Sequence, residues 1–365
     1  MTVNTVRVSP RDVPPILERC REMGFSAMLW GAPGVGKTSV VHDFAARVGG
    51  ALHDVRLTQI ESVDLRGLCI PDRATGTTVW LRPEFLPADG EGVIFLDELT
   101  HAEERLQASA YSLLLERRVG SYRVPDGYLV AAAGNRVEDG AIAREMGTAL
   151  ADRLVHVQIE ADPDAWIAWA QGAGIAPEVI AFVRVRPDLL ETCEARQRAG
   201  HLIGASPRGW ARVSRIVRDL SAPADRRTRD IMISGVVGES AAAEFAIVLS
   251  ELGGQVAADA ILAAERREMG ALLPRTIPGL YAFAYALPRL VADLEAARRA
   301  AQACLELDAV AAEKPGLPVE ETRTLAMELC LQRVLDLGLM PRFVETAEYA
   351  EYARGRERMK QAAAQ

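Results

Sequence analysis

Apolar residues in this chain follow two regimes that change near residue 160. Before that point, short apolar runs are cut off by glycine or acidic residues and alternate with stretches of helical period. Residues 26–30, Ser-Ala-Met-Leu-Trp, stop at Gly31 and predict a buried strand, as do residues 93–96, 128–133 and 154–159. Residues 52–57 alternate and predict another strand. Helices are predicted over 10–23 and 38–48, and over 102–118 with Leu106, Ala110, Leu113 and Leu114 on one face. Strands and helices in alternation predict an α/β domain, a mostly parallel sheet with helices on both faces. Two segments, about 67–82 and about 117–128, interrupt the alternation with turn residues flanked by β-formers and predict β-hairpins.

Beyond 160 the strand-like runs stop. Alanine-rich helical segments are predicted at 163–172, 176–186, 207–221, 226–236 and 240–252. Helical style continues to the end, with breaks expected at Pro274, Pro278, Pro288 and the stretch near 315, and a frayed polar tail over 353–365. Tyr281, Phe283 and Tyr285 are spaced by two, so on a helix they would not share a face, and packing is their expected role. The expected organisation is an α/β domain over 1–160, a small helical unit over 161–240 and a helical extension over 241–365.

Composition narrows the function. The chain carries 42 basic and 50 acidic residues, a net charge of −8, which disfavours a generic nucleic-acid coat. No stretch approaches the roughly 18 apolar residues of a membrane span, and no signal core opens the chain, so a soluble cytoplasmic protein is expected. Cys20, Cys69, Cys193, Cys304 and Cys330 are scattered and are expected to be buried free thiols. The five histidines form no zinc motif. Arginine supplies almost all basic residues, with lysine only at 37, 314 and 360.

The lysine at 37 completes a pattern. Gly31-Ala32-Pro33-Gly34-Val35-Gly36-Lys37-Thr38, followed by Ser39, matches GxxxxGK[ST] between a predicted strand and a predicted helix. Glycines let the backbone turn its N–H groups inward around phosphate oxygens, and the helix adds its positive end. Lys37 would neutralise the β- and γ-phosphates of ATP, and Thr38 would ligate Mg²⁺. Separately, Val93-Ile94-Phe95-Leu96 ends in Asp97 and Glu98. Such a strand delivers its end to the ligand-binding edge of an α/β sheet. There Asp97 can hold the metal, and Glu98 can take a proton from the water attacking the γ-phosphate. Together the motifs imply hydrolysis, because a mere nucleotide binder has no need of Glu98.

The order GAPGVGKT, VIFLDE, AAAGN and LADR resembles an AAA+ P-loop ATPase, and within that superfamily the MoxR-like group with its relatives CbbQ and NirQ. The resemblance spans about residues 10–240 and is strongest over 26–160. It implies an α/β nucleotide domain, a small helical lid over 161–240, and a ring, usually hexameric. By the same resemblance Asn135 is the polar sensor beside the attacking water. Arg153 is the arginine finger supplied to a neighbouring subunit, with Arg144 as its competitor. Arg208 is a second sensor at the start of a lid helix. The two hairpins would decorate the ring and touch a client. Residues 58–66 lack the aromatic–apolar–glycine loop of protein-threading relatives, and Trp80 is expected to pack within its own hairpin, which favours local remodelling over threading.

Three functions follow. The first is an ATP-driven remodelling chaperone of MoxR type, acting on a partner such as a von Willebrand factor A-domain protein or a metalloenzyme under maturation. The second is a nucleic-acid-directed motor or loader, suggested by Arg208, Arg212, Arg215 and Arg218 along one helix but opposed by the acidic balance, so that nucleic acid is the unlikely partner. The third is a scaffold whose hydrolysis only times assembly.

Overall fold

The computed structural model describes residues 5–135, 151–253 and 258–363. The chain divides into two compact units, one of residues 1–166 with 190–210 and one of residues 167–189 with 211–365.

The first unit is built on a sheet whose strands are β1 (Arg7–Val8), β2 (Ala27–Trp30), β3 (Ala51–Arg56), β6 (Glu91–Asp97), β9 (Gly127–Gly134) and β10 (Val155–Ile159). They lie in the order β1-β10-β2-β9-β6-β3, and every pairing is parallel. Their alternation shows why both faces must be covered. Met28, Trp30, Ile94, Leu96, Val130 and Ala132 enter one core, while Ala27, Leu29, Val93, Phe95, Leu129, Ala131 and Ala133 enter the other. Helices α1 (Val13–Met23) and α2 (Lys37–Val48) close the second face with Val13, Leu17, Val41 and Phe44. Helix α4 (Glu104–Glu116) closes the first with the expected Leu106, Ala110, Leu113 and Leu114. Each of these fully buried Leu or Phe side chains contributes roughly 1.5–3 kcal/mol of burial.

Both hairpins form where the sequence places them, as β4 (Leu68–Asp72) with β5 (Thr77–Leu81), and β7 (Arg118–Val119) with β8 (Tyr122–Arg123). The two-residue strand β1 and the single-turn helix α3 (Ser62–Arg66) have too little periodicity to be read in advance. The β4–β5 hairpin keeps Leu68, Ile70, Val79, Trp80 and Leu81 exposed. Trp80 stands opposite Cys69 with 37% of its surface open, so it is not packed away as expected. Cys69 departs from expectation too. Cys20, Cys304 and Cys330 are buried and Cys193 is half-buried, but Cys69 is exposed.

The second unit is helical, and its core gathers around the helix Ile277–Leu290. That helix packs against helices Pro177–Val185, Glu239–Gly253 and Val319–Asp336. Covered on several sides, it buries Tyr281, Phe283 and Tyr285 together although they do not share one face. Two expected breaks are corrected here. Pro278 lies in the first turn, where its missing N–H costs nothing and the Thr276 hydroxyl caps by accepting from Gly279 N. Pro288 sits inside the helix but in its last turn, so little helix remains beyond it to be disrupted. Of the tail expected to fray over 353–365, residues 353–363 are instead helical, within Ala347–Ala363, and 364–365 lie outside the described residues. Among the described residues, no helix is long and apolar enough to cross a membrane.

One polar cluster pins that last helix. Arg298 donates to both carboxylate oxygens of Glu348 at 3.1 Å, and Gln302 Nε2 adds a bond at 2.8 Å. The Arg298 guanidinium holds the Glu348 carboxyl down at about 2, from an ordinary value of 4.5. Glu348→Gln is therefore expected to cost about 1.5–3 kcal/mol, read as a lower unfolding midpoint of the helical part. Because the folded value is depressed, this stabilisation is present above about 4.5 and is lost as pH falls toward about 2. An acid titration of the wild type against the variant should converge at the low end.

Candidate functional site

β2 lies inside the sheet between β10 and β9, whereas the chain leaves it for β3 at the far edge. This reversal opens a crevice at the C-terminal end of β2. Residues 31–36 turn through that crevice before α2 begins at Lys37. The turn requires left-handed backbone at Gly34 (φ +82°) and Gly36 (φ +107°). A side chain at Gly34 would also place its Cβ 2.9 Å from the Ser206 hydroxyl. The first turn of α2, with Lys37, Thr38 and Ser39, carries no acidic residue, so nothing on it offsets the positive end of the helix.

Lys37 is buried and its ammonium is already oriented. It donates to the carbonyls of Gly31 at 2.6 Å and Ala32 at 3.1 Å, and to Asn135 Oδ1 at 2.8 Å. Asn135 follows the end of β9, and its backbone N–H donates to Thr100 Oγ1 at 3.1 Å. Asn135 thus sits beside the phosphate loop with its amide facing the lysine.

Thr38 Oγ1 donates to Asp97 Oδ2 at 3.0 Å, which joins the loop to the end of β6. A hydroxyl and a carboxylate held side by side are the hard oxygen donors that magnesium takes together with substrate phosphates and water. The donor set therefore fits the ion. Asp97 Oδ1 accepts from the backbone N–H of Glu98 at 2.9 Å. Glu98 has φ +60°, a left-handed conformation that costs a side-chain-bearing residue roughly 1–3 kcal/mol. The two neighbouring carboxylates are held by different partners, Asp97 by Thr38 and Glu98 by Thr58.

Arg208 begins the helix Pro207–Asp219, and its backbone N–H donates to the Gly34 carbonyl at 3.3 Å. Its exposed side chain therefore starts beside the phosphate loop. The structure brings residues 31–38, Asp97, Glu98, Asn135 and Arg208 to one edge of the sheet. It does not bring Arg153 there. Arg153 lies on an exposed turn before β10, and the register of Val155 opposite Ala27 puts that turn at the other edge. Arg144 lies outside the described residues.

Sequence reasoning missed Thr58, whose hydroxyl donates to Glu98 Oε2 at 2.5 Å. Forty positions separate the two, but β3 runs beside β6 with Arg56 opposite Asp97, so residues just past each strand must meet. The bond fixes the carboxylate's direction. Thr58→Val is expected to raise the basal rate of ATP hydrolysis several-fold, checked by phosphate release. An unchanged rate would mean that the contact does not restrain Glu98.

Residues 26–154 match the family model for the AAA domain (dynein-related subfamily). No curated protein matches the chain. Among solved structures the chain is similar to NtrX from Brucella abortus in complex with ATP, at 16% identity over 90% of this chain and 70% of that one, with a TM-score of 0.38. It is also similar to the RuvB Holliday junction branch migration motor of Thermotoga maritima, at 16% identity over 90% of this chain and 87% of that one, with a TM-score of 0.35.

Proposed function

We propose that this chain, an ATPase through the AAA domain at residues 26–154, is a ring-forming remodelling enzyme of MoxR type that acts on a partner protein. The observation that carries the proposal is the β4–β5 hairpin, whose Leu68, Ile70, Val79 and Leu81 stand exposed together on one face, with Trp80 exposed on the other. Contiguous exposed apolar side chains mark a protein-contact surface. A partner with a von Willebrand factor A-like domain, or a metalloenzyme under maturation, would be gripped there. In this proposal a helical lid over 161–240 and a helical extension over 241–365 complete the subunit, and six subunits close the ring.

Each residue has a defined task in the cycle. The amides of residues 34–38 and the Lys37 ammonium hold the β- and γ-phosphates of ATP. Thr38 and Asp97 would hold magnesium, which would supply positive charge to offset that of the phosphates. Asn135 orients the attacking water, and Glu98 accepts its proton as the oxygen bonds to phosphorus. Arg208 reaches the γ-phosphate from its own chain, and Arg153 reaches that of a neighbour, where the guanidinium stabilises the charge of the transition state.

The arginines of the helix Pro207–Asp219 give little support to a nucleic-acid motor. Arg215 approaches Asp219 at 3.7 Å, and Arg218 donates to the Gly174 carbonyl at 3.2 Å. The deciding experiment is capture of proteins with ATP-loaded Glu98→Gln, followed by addition of the captured protein, or of DNA or RNA, to the wild type. Several-fold stimulation of ATPase by the captured protein is expected. Stimulation by DNA or RNA instead would overturn the proposal, and no stimulation by either would leave the assembly scaffold.

A further inference from the structure

We infer that His156 is a positioning residue that ties the turn carrying Arg153 to the strand leading into the phosphate loop. The inference rests on the proposed role of Arg153 as a finger for a neighbouring site and names what holds that finger in place.

Trp30 is the last residue of β2 and directly precedes Gly31, whose carbonyl accepts from Lys37. Its side chain is buried, and Nε1 donates to His156 Nδ1 at 2.8 Å. An indole N–H can only donate, so Nδ1 is the acceptor and the ring proton sits on Nε2. Nε2 then donates to the Ala151 carbonyl, also at 2.8 Å. The two ring planes are 17° apart, with centroids 6.0 Å apart. Both nitrogens of His156 are thereby committed, one in each direction.

The Ala151 carbonyl also accepts from Leu154 N at 3.4 Å, closing the turn in which Arg153 sits. Just beyond, Val155 N donates to the Ser26 carbonyl at 3.0 Å. The turn is thus fastened twice, by backbone to the start of β2 and by the His156 ring to its end. Trp30 is at the phosphate edge of the sheet and Ala151 at the opposite edge, so the Trp30–His156–Ala151 chain crosses the sheet between the two. A purely apolar filler in place of His156 would leave the Trp30 N–H and the Ala151 carbonyl without these bonds. The ring of His156 bonds Trp30 and Ala151 and none of the cradle residues named above, so its loss should move the finger more than the cradle. Displacing a catalytic group by about 1 Å can cost on the order of a hundredfold in rate.

The test compares steady-state kinetics of the assembled protein across five variants. His156→Ala is expected to lower kcat about ten- to a hundredfold with KM for ATP changed less than about threefold. His156→Gln, whose amide offers one acceptor and one donor, should recover most of the loss, and Trp30→Phe, which removes only the donor, should reproduce a smaller part of it. In an Arg153→Ala background, His156→Ala should add less than about twofold, because the two act as one unit. Should Arg153→Ala itself run at the wild-type rate, both the finger and its tether are overturned. A slow Arg153→Ala beside an unchanged His156→Ala overturns the tether alone, as would full additivity of the two substitutions. If His156→Ala does not fold, the Trp30→Phe and His156→Gln pair still decides, since equal kcat in Trp30→Phe and wild type contradicts the tether.

Discussion

Glu98→Gln is expected to keep its nucleotide and lose about two to four orders of magnitude in turnover, the usual worth of a positioned general base. Glutamine has the same shape and can occupy the left-handed backbone at φ +60° as glutamate does. Its amide oxygen can still accept from Thr58, so the local structure has no reason to change. What disappears is the capacity to take a proton from the attacking water. The groups placed to bind nucleotide are others. Lys37 lies among the Gly31 and Ala32 carbonyls and Asn135, and Thr38 bonds Asp97 rather than Glu98. Affinity for magnesium ATP, measured by calorimetry, should therefore stay within a few-fold of wild type while phosphate release falls. In free energy the loss is about 3–5 kcal/mol, all of it in the transition state. Turnover at the wild-type rate would remove Glu98 from the chemistry. Loss of ATP affinity would instead give it a part in binding.

The features readable in the sequence were those whose physics is local. The phosphate loop is contiguous, and its glycines, lysine and threonine must be neighbours for the backbone to close on a phosphate. β6 was legible because four apolar residues end in two carboxylates, and α4 because Leu106, Ala110, Leu113 and Leu114 repeat at helical spacing. The contacts that were not legible join residues far apart in the chain. Thr58 reaches Glu98 across 40 positions, and His156 reaches Trp30 across 126, each through the parallel register of two strands. A histidine among five scattered ones carried no signal until β2 and β10 were known to be neighbours. Proline misled for a related reason. Pro278 and Pro288 read as breaks, yet within Ile277–Leu290 one lies in the first turn and the other in the last. At both ends a missing N–H or a blocked carbonyl disrupts little of the helix.

The position of Arg153 makes a prediction about subunits rather than residues. It sits at the edge of the sheet opposite its own phosphate loop, so under the proposed ring its guanidinium would complete another chain's site. Arg153→Ala is expected to lower kcat by about a thousandfold or more, the scale on which an arginine finger acts. Lys37→Ala should abolish turnover through the loss of phosphate binding. Neither variant alone has a working site, but mixtures can. Where an Arg153→Ala subunit, with its cradle intact, meets a Lys37→Ala neighbour that still carries its arginine, both halves are present. In a head-to-tail ring mixed at random in equal amounts, about a quarter of the interfaces are of this kind. Activity should therefore rise to roughly that fraction of wild type and fall away on either side of the equal ratio. An arginine acting within its own chain gives a different result, because every site in every mixture would then lack either the ammonium or the guanidinium. No recovery at any ratio, from subunits shown to co-assemble, would place the finger elsewhere in the chain.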